Sequence, residues 1–293
     1  MNKKICEMVT ERIVKEMERG IIPWRRPWTG STTAAISHST GKPYSLLNQI
    51  ILGRAGEYIT FKQVTAEGGK VKKGEKGHPV VFWKMQTVTE TDSNGETREK
   101  LIPFLRYYTV FHIDQCEGIT AKHTAEAPAT APVSPVEAAE QIVKGYAERE
   151  SNLRIERKQE SNSAYYSPAL DKIVVPCLEQ YSDSAEYYST LFHEMVHSTG
   201  HSTRLNRFTG TAAAAAFGGE EYSKEELTAE IGAAALVNAC GIDDSHSITN
   251  SAAYIQSWLK ALKNDPTMII TAAGKAEKAT AYITDNQSGE QGE

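Results

Sequence analysis

The stretch LFHEMVHSTGH, residues 191–201, places two histidines four residues apart, with a glutamate directly after the first. On a helix, positions i and i+4 share a face, so His193 and His197 can direct their imidazoles at one metal ion. Glu194 would lie one residue further round, where a carboxylate can hydrogen-bond a metal-bound water as general base. The alternative is a surface helix with solvated histidines, but the bulky apolar neighbours favour a buried helix. The spacing therefore predicts the metal-binding helix of a hydrolase.

A catalytic zinc site needs a third protein ligand. In the arrangement H-E-x-x-H-x-x-G-x-x-H the last histidine would stand at position 203, which is Thr203 here, and this argues against that arrangement. The other source is a glutamate from a following helix, and YSKEELTAEIGAAALVNACG offers such a helix. We expect Glu226 to be the ligand, with Glu230 as a carboxylate that orients a histidine or as the alternative ligand.

The second helix also admits a structural interpretation. The spacing from Ser223 to Glu226 matches a capping box, in which the carboxylate would cap the start of the helix and not bind metal. Small residues further along this helix would allow it to approach the histidine helix closely: Ala229, Gly232, Ala233 and Ala234. Both interpretations of Glu226 remain open at this point.

The segments on either side of the histidine helix suggest supporting roles. After it, Gly200 is expected to end the helix, His201 to belong to the loop, and Arg204 and Arg207 to make surface or substrate contacts. Before it, DKIVVP, residues 171–176, predicts a strand. This strand could be the edge along which an extended peptide is aligned by main-chain hydrogen bonds, or a core strand.

The chain of 293 residues is long enough for two domains, and its charge is unevenly distributed. Residues 1–118 contain 18 Lys and Arg against 13 Asp and Glu. The whole chain contains 32 and 37, which leaves 14 against 24 for residues 119–293. A basic module joined to an acidic one indicates a polyanionic partner for the first module alone.

A Pro-, Ala- and Thr-rich segment separates the two modules and predicts a flexible linker over residues 119–136. The domains predicted from this division are a basic domain, a second domain and a disordered tail, at residues 1–118, 137–283 and 284–293. The amino-terminal segment has an amphipathic helical pattern without the apolar core of a signal peptide, so we expect a cytoplasmic protein.

The elements predicted in the basic domain are a helix over residues 3–19, ended by Gly20, and the strands YITFKQV, HPVVFWKMQTV and LRYYTVFHI. The second domain is predicted to contain a helix over residues 136–150, two strand segments and four further helices. These further helices lie at residues 184–198, 224–239, 251–263 and 268–283. The pattern predicts an α+β fold in two domains.

Two motifs of the basic domain place cations beside aromatic rings or between glycines. Single-stranded nucleic acid is bound by aromatic faces together with cations. Rings stack on bases while the cations neutralise phosphates. The alternatives are a tryptophan pair in the core and a solvated lysine-rich turn. The candidate DNA-binding residues are those of PWRRPW and GGKVKKGEKG: Trp24, Arg25, Arg26, Trp28, Lys70, Lys72, Lys73 and Lys76.

Several long segments together resemble the ArdC-type antirestriction proteins carried by plasmids and integrative elements. In the front half they are IPWRRPW, TGKPYSLLNQIIL, TFKQVTAEGGKVKKGEKGHPVVFWK and YYTVFHIDQCEGI. In the back half they are LFHEMVHSTGHSTRLNR and EELTAEIGAAAL. The resemblance covers nearly the whole chain.

The resemblance implies a front domain that binds single-stranded DNA, a back domain with a zincin-like metallopeptidase fold, and a role in protecting incoming DNA from host restriction. It implies His193, His197 and Glu226 as the metal positions and Glu194 as the general base. We expect Zn²⁺ in the site, although Mn²⁺ or another divalent ion suits the same ligands. A restriction component is a candidate protein substrate. The alternative is a non-enzymatic single-strand-binding protein whose metal site is structural or vestigial.

Overall fold

The computed structural model describes residues 2–25, 34–91, 97–123, 134–159, 161–208, 220–243 and 252–286. Helices and strands occur in both halves of the chain, which confirms the predicted α+β class. Within these ranges, none of the helices combines the length and the apolar composition that a bilayer span requires.

The front half is built from short helices and a sheet with two long strands. Its helices are α1 (Lys3–Glu18), α2 (Leu46–Leu52) and α3 (Phe61–Ala66). Its strands are β1 (Ala35–Ser37), β2 (Gly56–Thr60), β3 (Lys70–Val71), β4 (His78–Thr91), β5 (Thr97–His112) and β6 (Cys116–Glu117). The strand order of the main sheet is β1-β2-β5-β4, with β1 and β2 parallel and the other pairs antiparallel.

The back half places a small sheet among five helices of the described chain. The helices are α4 (Pro135–Arg149), α5 (Ser184–Ser198), α6 (Glu220–Ala239), α7 (Ala252–Asn264) and α8 (Met268–Ile283). The strands are β7 (Arg154–Lys158), β8 (Tyr165–Ser167) and β9 (Lys172–Pro176). All five predicted helices form, four of them within two residues of the predicted bounds.

The free edge of the front sheet is closed at one point by a side chain from α2. The amide of Asn48 donates to the carbonyl of Val81 and accepts from its N–H, both at 2.8 Å. Asn48 is buried at 4% exposure, so the two hydrogen bonds satisfy an amide that would otherwise be costly to bury. They also fix α2 against β4.

One predicted strand of the front half is partly wrong. In YITFKQV, the strand ends at Thr60, and the following residues form α3. The Thr60 hydroxyl accepts from the Gln63 N–H at 3.3 Å, while the Gln63 side chain accepts from the Thr60 N–H at 2.9 Å. This reciprocal capping box starts a helix even though the apolar residues alone suggest a continued strand.

The strand before the histidine helix is a core strand and not an edge. β9 pairs with β7 in parallel on one side and with β8 antiparallel on the other. Its residues Ile173, Val174 and Val175 are almost completely buried. Of the two interpretations of DKIVVP, the core strand is the one observed, and the edges of this sheet are β7 and β8.

The two halves share a hydrophobic core. Ile5, Ile13 and Leu105 of the front half belong to the same buried cluster as Leu227 and Trp258 of the back half. Helix α1 lies against α7, and α2 lies against α8. A second cluster lies within the back half and surrounds α5. The two modules that differ in sequence are therefore packed against each other through apolar side chains of both halves.

Hydrogen bonds of the described chain reach both ends of the predicted linker, residues 119–136. The backbone N–H groups of Lys122 and His123 donate to the carboxylate of Glu57 at 3.1 and 2.6 Å, which holds residues up to 123 on the front half. At the other end, Ser134 caps α4, which begins at Pro135. The segment between them lies outside the described residues, as do residues 287–293 of the predicted tail.

Helices α5 and α6 approach each other closely at a glycine. A Cβ atom on Gly232 of α6 would lie 2.7 Å from Cγ2 of Val196 on α5. Carbon atoms do not approach to that distance without displacing one another, and the branched Val196 side chain is completely buried. The absence of a side chain at position 232 therefore sets the separation of the two helices.

We expect Gly232→Ala to lower the free energy of unfolding by about 1–3 kcal/mol, because the added methyl group overpacks a rigid contact. Gly274→Ala on α8 is the matched control, since a Cβ atom there meets nothing within 4 Å. The control is expected to be neutral or to stabilise by up to about 1 kcal/mol through helix propensity. Thermal and denaturant unfolding of both variants measure the difference, and equal stabilities would contradict the close helix contact.

Candidate metal centre

Two neighbouring helices bring together three side chains that could hold a metal ion. α5 starts at an Asp183 cap, which accepts from the Glu186 N–H at 2.8 Å, and carries His193 and His197 one turn apart. α6 contributes Glu226. The Nε2 atoms of the histidines are 3.0 Å apart, and the carboxylate oxygens of Glu226 lie 3.5 Å from that of His193 and 3.3 Å from that of His197.

These distances fit a metal ion. Ligand atoms about 2.0–2.2 Å from a tetrahedral ion lie roughly 3.3–3.6 Å from one another. The two separations to Glu226, one from each of its carboxylate oxygens, fall in this range, and the separation between the two imidazoles is shorter by about 0.3 Å. Two imidazole nitrogens and a carboxylate oxygen form a ligand set that zinc, manganese and iron accept. Three ligands leave a fourth position for water or substrate.

The start of α6 decides between the two interpretations of Glu226. The helix begins at Glu220, so Ser223 lies within its first turn and is not the capping residue. The carboxylate of Glu226 is therefore not used to cap the helix, and it faces the two imidazoles. Glu230, one turn further on, is placed near the opposite side of His193.

Two outer carboxylates lie beside the Nδ1 atoms of the histidines. Glu225 is 3.4 Å from Nδ1 of His197, and Glu230 is 3.8 Å from Nδ1 of His193. The first distance is a hydrogen bond, whereas the second brings the charges close without one. A carboxylate at this position fixes the orientation of a ligand imidazole and increases its basicity. Glu225 had not been assigned this role from the sequence.

An arginine holds each outer carboxylate in turn. Arg207 donates to Glu225 at 2.7 Å, and Arg25 donates to Glu230 at 2.5 Å. Arg25 also lies 5.6 Å above the ring of Tyr254. Because Arg25 belongs to the front half, the surroundings of His193 are completed by a residue 205 positions away from Glu230 in the chain.

The charges of this cluster are mutually stabilising. Burial alone would raise the pKa of Glu226, but its hydrogen bonds to His193 and His197 hold that pKa far below its usual range. For His197, burial would lower the pKa, but hydrogen bonds to Glu225 and Glu226 raise it to about 10. A metal ion that takes the Nε2 atom of His197 must displace a proton, so its binding strengthens as the pH rises.

The expected base lies beside the cluster. Glu194 on α5 is 8% exposed, and it forms no hydrogen bond or ion pair within the described part of the chain. Tyr222, at the start of α6, lies close by: burial and the charges of Glu226 and Glu194 raise its pKa. A nearly buried carboxylate without a protein partner is free to hydrogen-bond a water molecule or a substrate.

The loop after α5 has a structural role. Arg204 is buried and binds Asp171, Tyr166 and the carbonyl of Ser198, so the expectation of a surface or substrate contact is wrong for this residue. Arg207 is likewise 7% exposed and engaged by Glu225. His201 bonds Thr203 within the loop, as expected.

Gly200 leaves room for the ring of Phe208. Helix α5 ends at Ser198, two residues before Gly200, and Gly200 is not among the described glycines with positive φ. A Cβ atom on Gly200 would lie 2.6 Å from the ring of Phe208, which itself stacks on Tyr166. The glycine therefore gives an aromatic ring access to the backbone.

The structure corrects part of the predicted DNA-binding motif. Trp24 is 3% exposed and packs edge-on against Trp258 with the ring centroids 6.5 Å apart, so its predicted role in stacking on bases is wrong. Arg25 is engaged by Glu230 and is likewise not available to phosphate. Arg26 and Trp28 lie outside the described residues.

The predicted lysines lie at the surface around β3 and the turn that follows it. All four are exposed: Lys70, Lys72, Lys73 and Lys76. Lys70 pairs with Glu117 at 2.9 Å, and Lys72 donates to the carbonyl of Asp114 at 2.7 Å. Both contacts are solvent-exposed, so they restrain these side chains weakly.

We expect Arg25→Ala to weaken metal binding about 10-fold, because Glu230 then loses the partner that holds it beside His193. Glu230→Gln should cause a similar loss, and the double variant should lose little more than either single one. Competition with a chromogenic chelator measures the affinities. Arg19→Ala is the control, since Arg19 is 70% exposed and pairs with Glu16 on the same helix. Unchanged affinity in Arg25→Ala would contradict a role in the metal centre.

Comparison with known proteins gives matches over both halves. Residues 140–275 match the family model for a zincin-like metallopeptidase, and residues 3–111 match that for the N-terminal domain of anti-restriction factor ArdC. Two DNA primases TraC of Escherichia coli are 34% and 33% identical over 97% and 96% of this chain. The matched regions make up only 27% and 20% of those primases.

Other relatives match end to end. The uncharacterized protein y4eC of Sinorhizobium fredii is 31% identical, over 97% of this chain and 92% of that protein. Crystal structures of the antirestriction ArdC protein from the R388 plasmid, one metal-free and one Mn(II)-bound, superpose with TM-scores of 0.70 and 0.69. They are 34% and 33% identical and cover 99% and 98% of this chain, and 100% and 99% of their own. The chain therefore belongs to the ArdC family of antirestriction proteins.

Proposed function

We propose that the protein joins a metal-dependent peptidase in its back half to a single-stranded-DNA-binding surface in its front half. The observation that carries the peptidase is the convergence of two imidazoles and one carboxylate, with a further buried carboxylate, Glu194, beside them. The action of such a protein is the protection of transferred DNA from restriction. A protein component of the restriction system is then the candidate peptide substrate.

His193, His197 and Glu226 would hold the metal. Zinc suits this set best as a hydrolytic ion, and the Mn(II)-bound relative supports manganese as the alternative. A bound divalent ion supplies Lewis-acid polarisation of the substrate carbonyl and lowers the pKa of coordinated water. Glu225 orients the imidazole of His197 through a hydrogen bond to Nδ1, and Glu230 adds a negative charge beside Nδ1 of His193.

Glu194 is the general base in this proposal. Its carboxylate accepts a proton from the attacking water and returns it to the leaving amine. Of the two edges of the back sheet, β8 has the more extensive contact with α5, so an extended peptide is best aligned along β8. This places the substrate beside the histidine helix, in a position that β9 cannot provide from the middle of the sheet.

A non-enzymatic protein with a structural metal is the alternative function. In that case the ion would stabilise the packing of α5 against α6, and Glu194 would have no chemical role. The two functions differ in what Glu194 does, because a structural site is closed and makes no use of a base.

Replacing Glu194 by Gln is expected to leave one metal ion per chain and to lower peptide cleavage by about 10²–10⁴-fold, since only the proton acceptor is lost. A peptide library derived from denatured proteins is the probe for cleavage, and elemental analysis gives the metal content. His193→Ala is the comparison variant, which should lose both metal and activity. A metal-loaded wild-type protein that cleaves no member of the library would favour the structural alternative.

The front half supplies the cations for DNA. Lys73 and Lys76 lie in the exposed turn after β3, and Lys70 and Lys72 stand next to them. The net positive charge of residues 1–118 gives this region a field that attracts a polyanion, while the acidic back half does not. These four lysines therefore remain our proposed phosphate contacts.

For the full chain we expect affinity for a fluorescent oligothymidylate to fall steeply as salt concentration rises. Removing Lys73 and Lys76 together by alanine substitution should reduce the slope of log K against log salt by about 1.4, or about 0.7 for each single-strand phosphate contact. The control removes the same charge from exposed positions of the back half, with Lys144→Ala and Lys260→Ala. Equal slopes in the two double variants would contradict a phosphate-binding role for the turn.

A further inference from the structure

The hairpin formed by β4 and β5 extends beyond the part of the sheet that the helices cover. Near its base, Val80, Val81, Leu105 and Val110 are buried in hydrophobic clusters. Further out, large apolar side chains are exposed, including Trp83 at 44%, Met85 at 54%, Leu101 at 62% and Tyr107 at 51%. We call this outer part, residues 82–91 and 97–108, the ribbon.

The pairing register assigns each ribbon residue to one of two faces. Phe82 pairs with Arg106, Lys84 with Phe104, and the register continues without a bulge to Thr91 and Thr97. Directly paired residues share a face, and the face alternates along each strand. One face, the basic face, therefore holds Phe82, Lys84, Phe104, Arg106 and Tyr108, followed by Lys100 and Arg98.

The opposite face has a different chemistry. It holds Trp83, Met85, Leu101, Pro103 and Tyr107, and over residues 81–89 and 99–107 it contains no lysine or arginine. Its charged residue in these ranges is Glu99. The lysines and arginines of the ribbon thus all lie on one face, and a mainly apolar surface, which includes the rings of Trp83 and Tyr107, lies on the other.

The aromatic side chains of the basic face are spaced among its cations. The rings of Phe82 and Tyr108 are neighbours with centroids 5.6 Å apart and planes tilted by 58°. Arg106 lies directly across from Phe82, and Phe104 lies across from Lys84, so these two cations each have a ring opposite them. Bases can stack on such rings while the neighbouring guanidinium and ammonium groups contact phosphates.

The net charge of the basic face indicates the class of ligand that it binds. Four cations lie on it between residues 84 and 106, against one acidic side chain, Glu90, which is 3.8 Å from Lys100. A polyanion is therefore favoured over a neutral peptide. The rings of this face, Tyr108 at 36% exposure and the half-buried Phe82 and Phe104, favour unpaired bases over a duplex whose bases are already stacked. The position of Trp24 in the core removes it as a candidate for stacking on bases.

We propose that the basic face of the ribbon is the platform on which single-stranded DNA stacks. The proposal rests on the proposed single-strand binding of the front half, and it locates the base contacts on Phe82, Phe104 and Tyr108. Lys84 and Arg106 contact the phosphates between them. The lysines after β3 are then additional phosphate contacts.

Two neighbouring tyrosines on opposite faces provide a matched test in the full chain. Tyr108→Ala should weaken binding of an oligothymidylate about 5- to 150-fold, the equivalent of about 1–3 kcal/mol for one stacked base. Tyr107→Ala removes an equally large and more exposed ring from the apolar face and should change the affinity less than about 2-fold. Unfolding temperature and metal content verify that both variants fold.

A second pair tests the charges without disturbing the packing. Lys84→Gln with Arg106→Gln should reduce the salt slope by about 1.4, whereas Glu99→Gln on the other face should leave it unchanged. Losses of similar size for Tyr107 and Tyr108, or wild-type affinity in both Tyr108→Ala and the double glutamine variant, would overturn the platform while leaving single-strand binding intact. Absence of single-strand binding in the wild type would instead reject both the platform and the proposed DNA-binding function.

Discussion

The contact between α5 and α6 is the constraint on which the candidate site depends. An imidazole pair on one helix becomes a metal site only if a carboxylate from another element reaches the same point. Gly232 allows α6 to lie directly on Val196, and this approach carries Glu226 to the Nε2 atoms of His193 and His197. A larger residue at position 232 would increase the helix separation, and shifts of a few tenths of an ångström already matter for metal coordination.

Around this contact, acidic and basic groups are arranged in layers. Glu226 faces the Nε2 atoms, Glu225 and Glu230 lie beside the Nδ1 atoms, and each of these two outer carboxylates has an arginine behind it. The arginines compensate the negative charge, which makes it feasible to bury so many carboxylates near one another. They also fix the carboxylates in position, so the imidazoles are oriented before any ion binds.

Much of the metal centre could be predicted from local sequence, because its information is local. The i, i+4 histidines, the apolar flanks and the Asp183 cap define α5, and the structure has the same bounds, Ser184–Ser198. The choice between Glu226 as ligand and Glu226 as cap depended on where α6 begins, and boundaries are the part of a helix that sequence determines least well. The prediction that Trp24 and Arg25 bind DNA is wrong because an aromatic residue next to a cation gives the same sequence pattern on a surface and in a core. Their partners, Trp258 and Glu230, lie more than 200 residues away.

The contact of Arg25 with Glu230 has a consequence for how this family can be recombined. Although the sequence divides into two modules, a charge pair and a shared apolar core cross the division. In the TraC primases, too, the similarity extends over both modules within much longer chains. In an exchange of modules, a front half without an arginine at position 25 would leave the buried Glu230 carboxylate without its guanidinium, so the two halves must be matched at this contact.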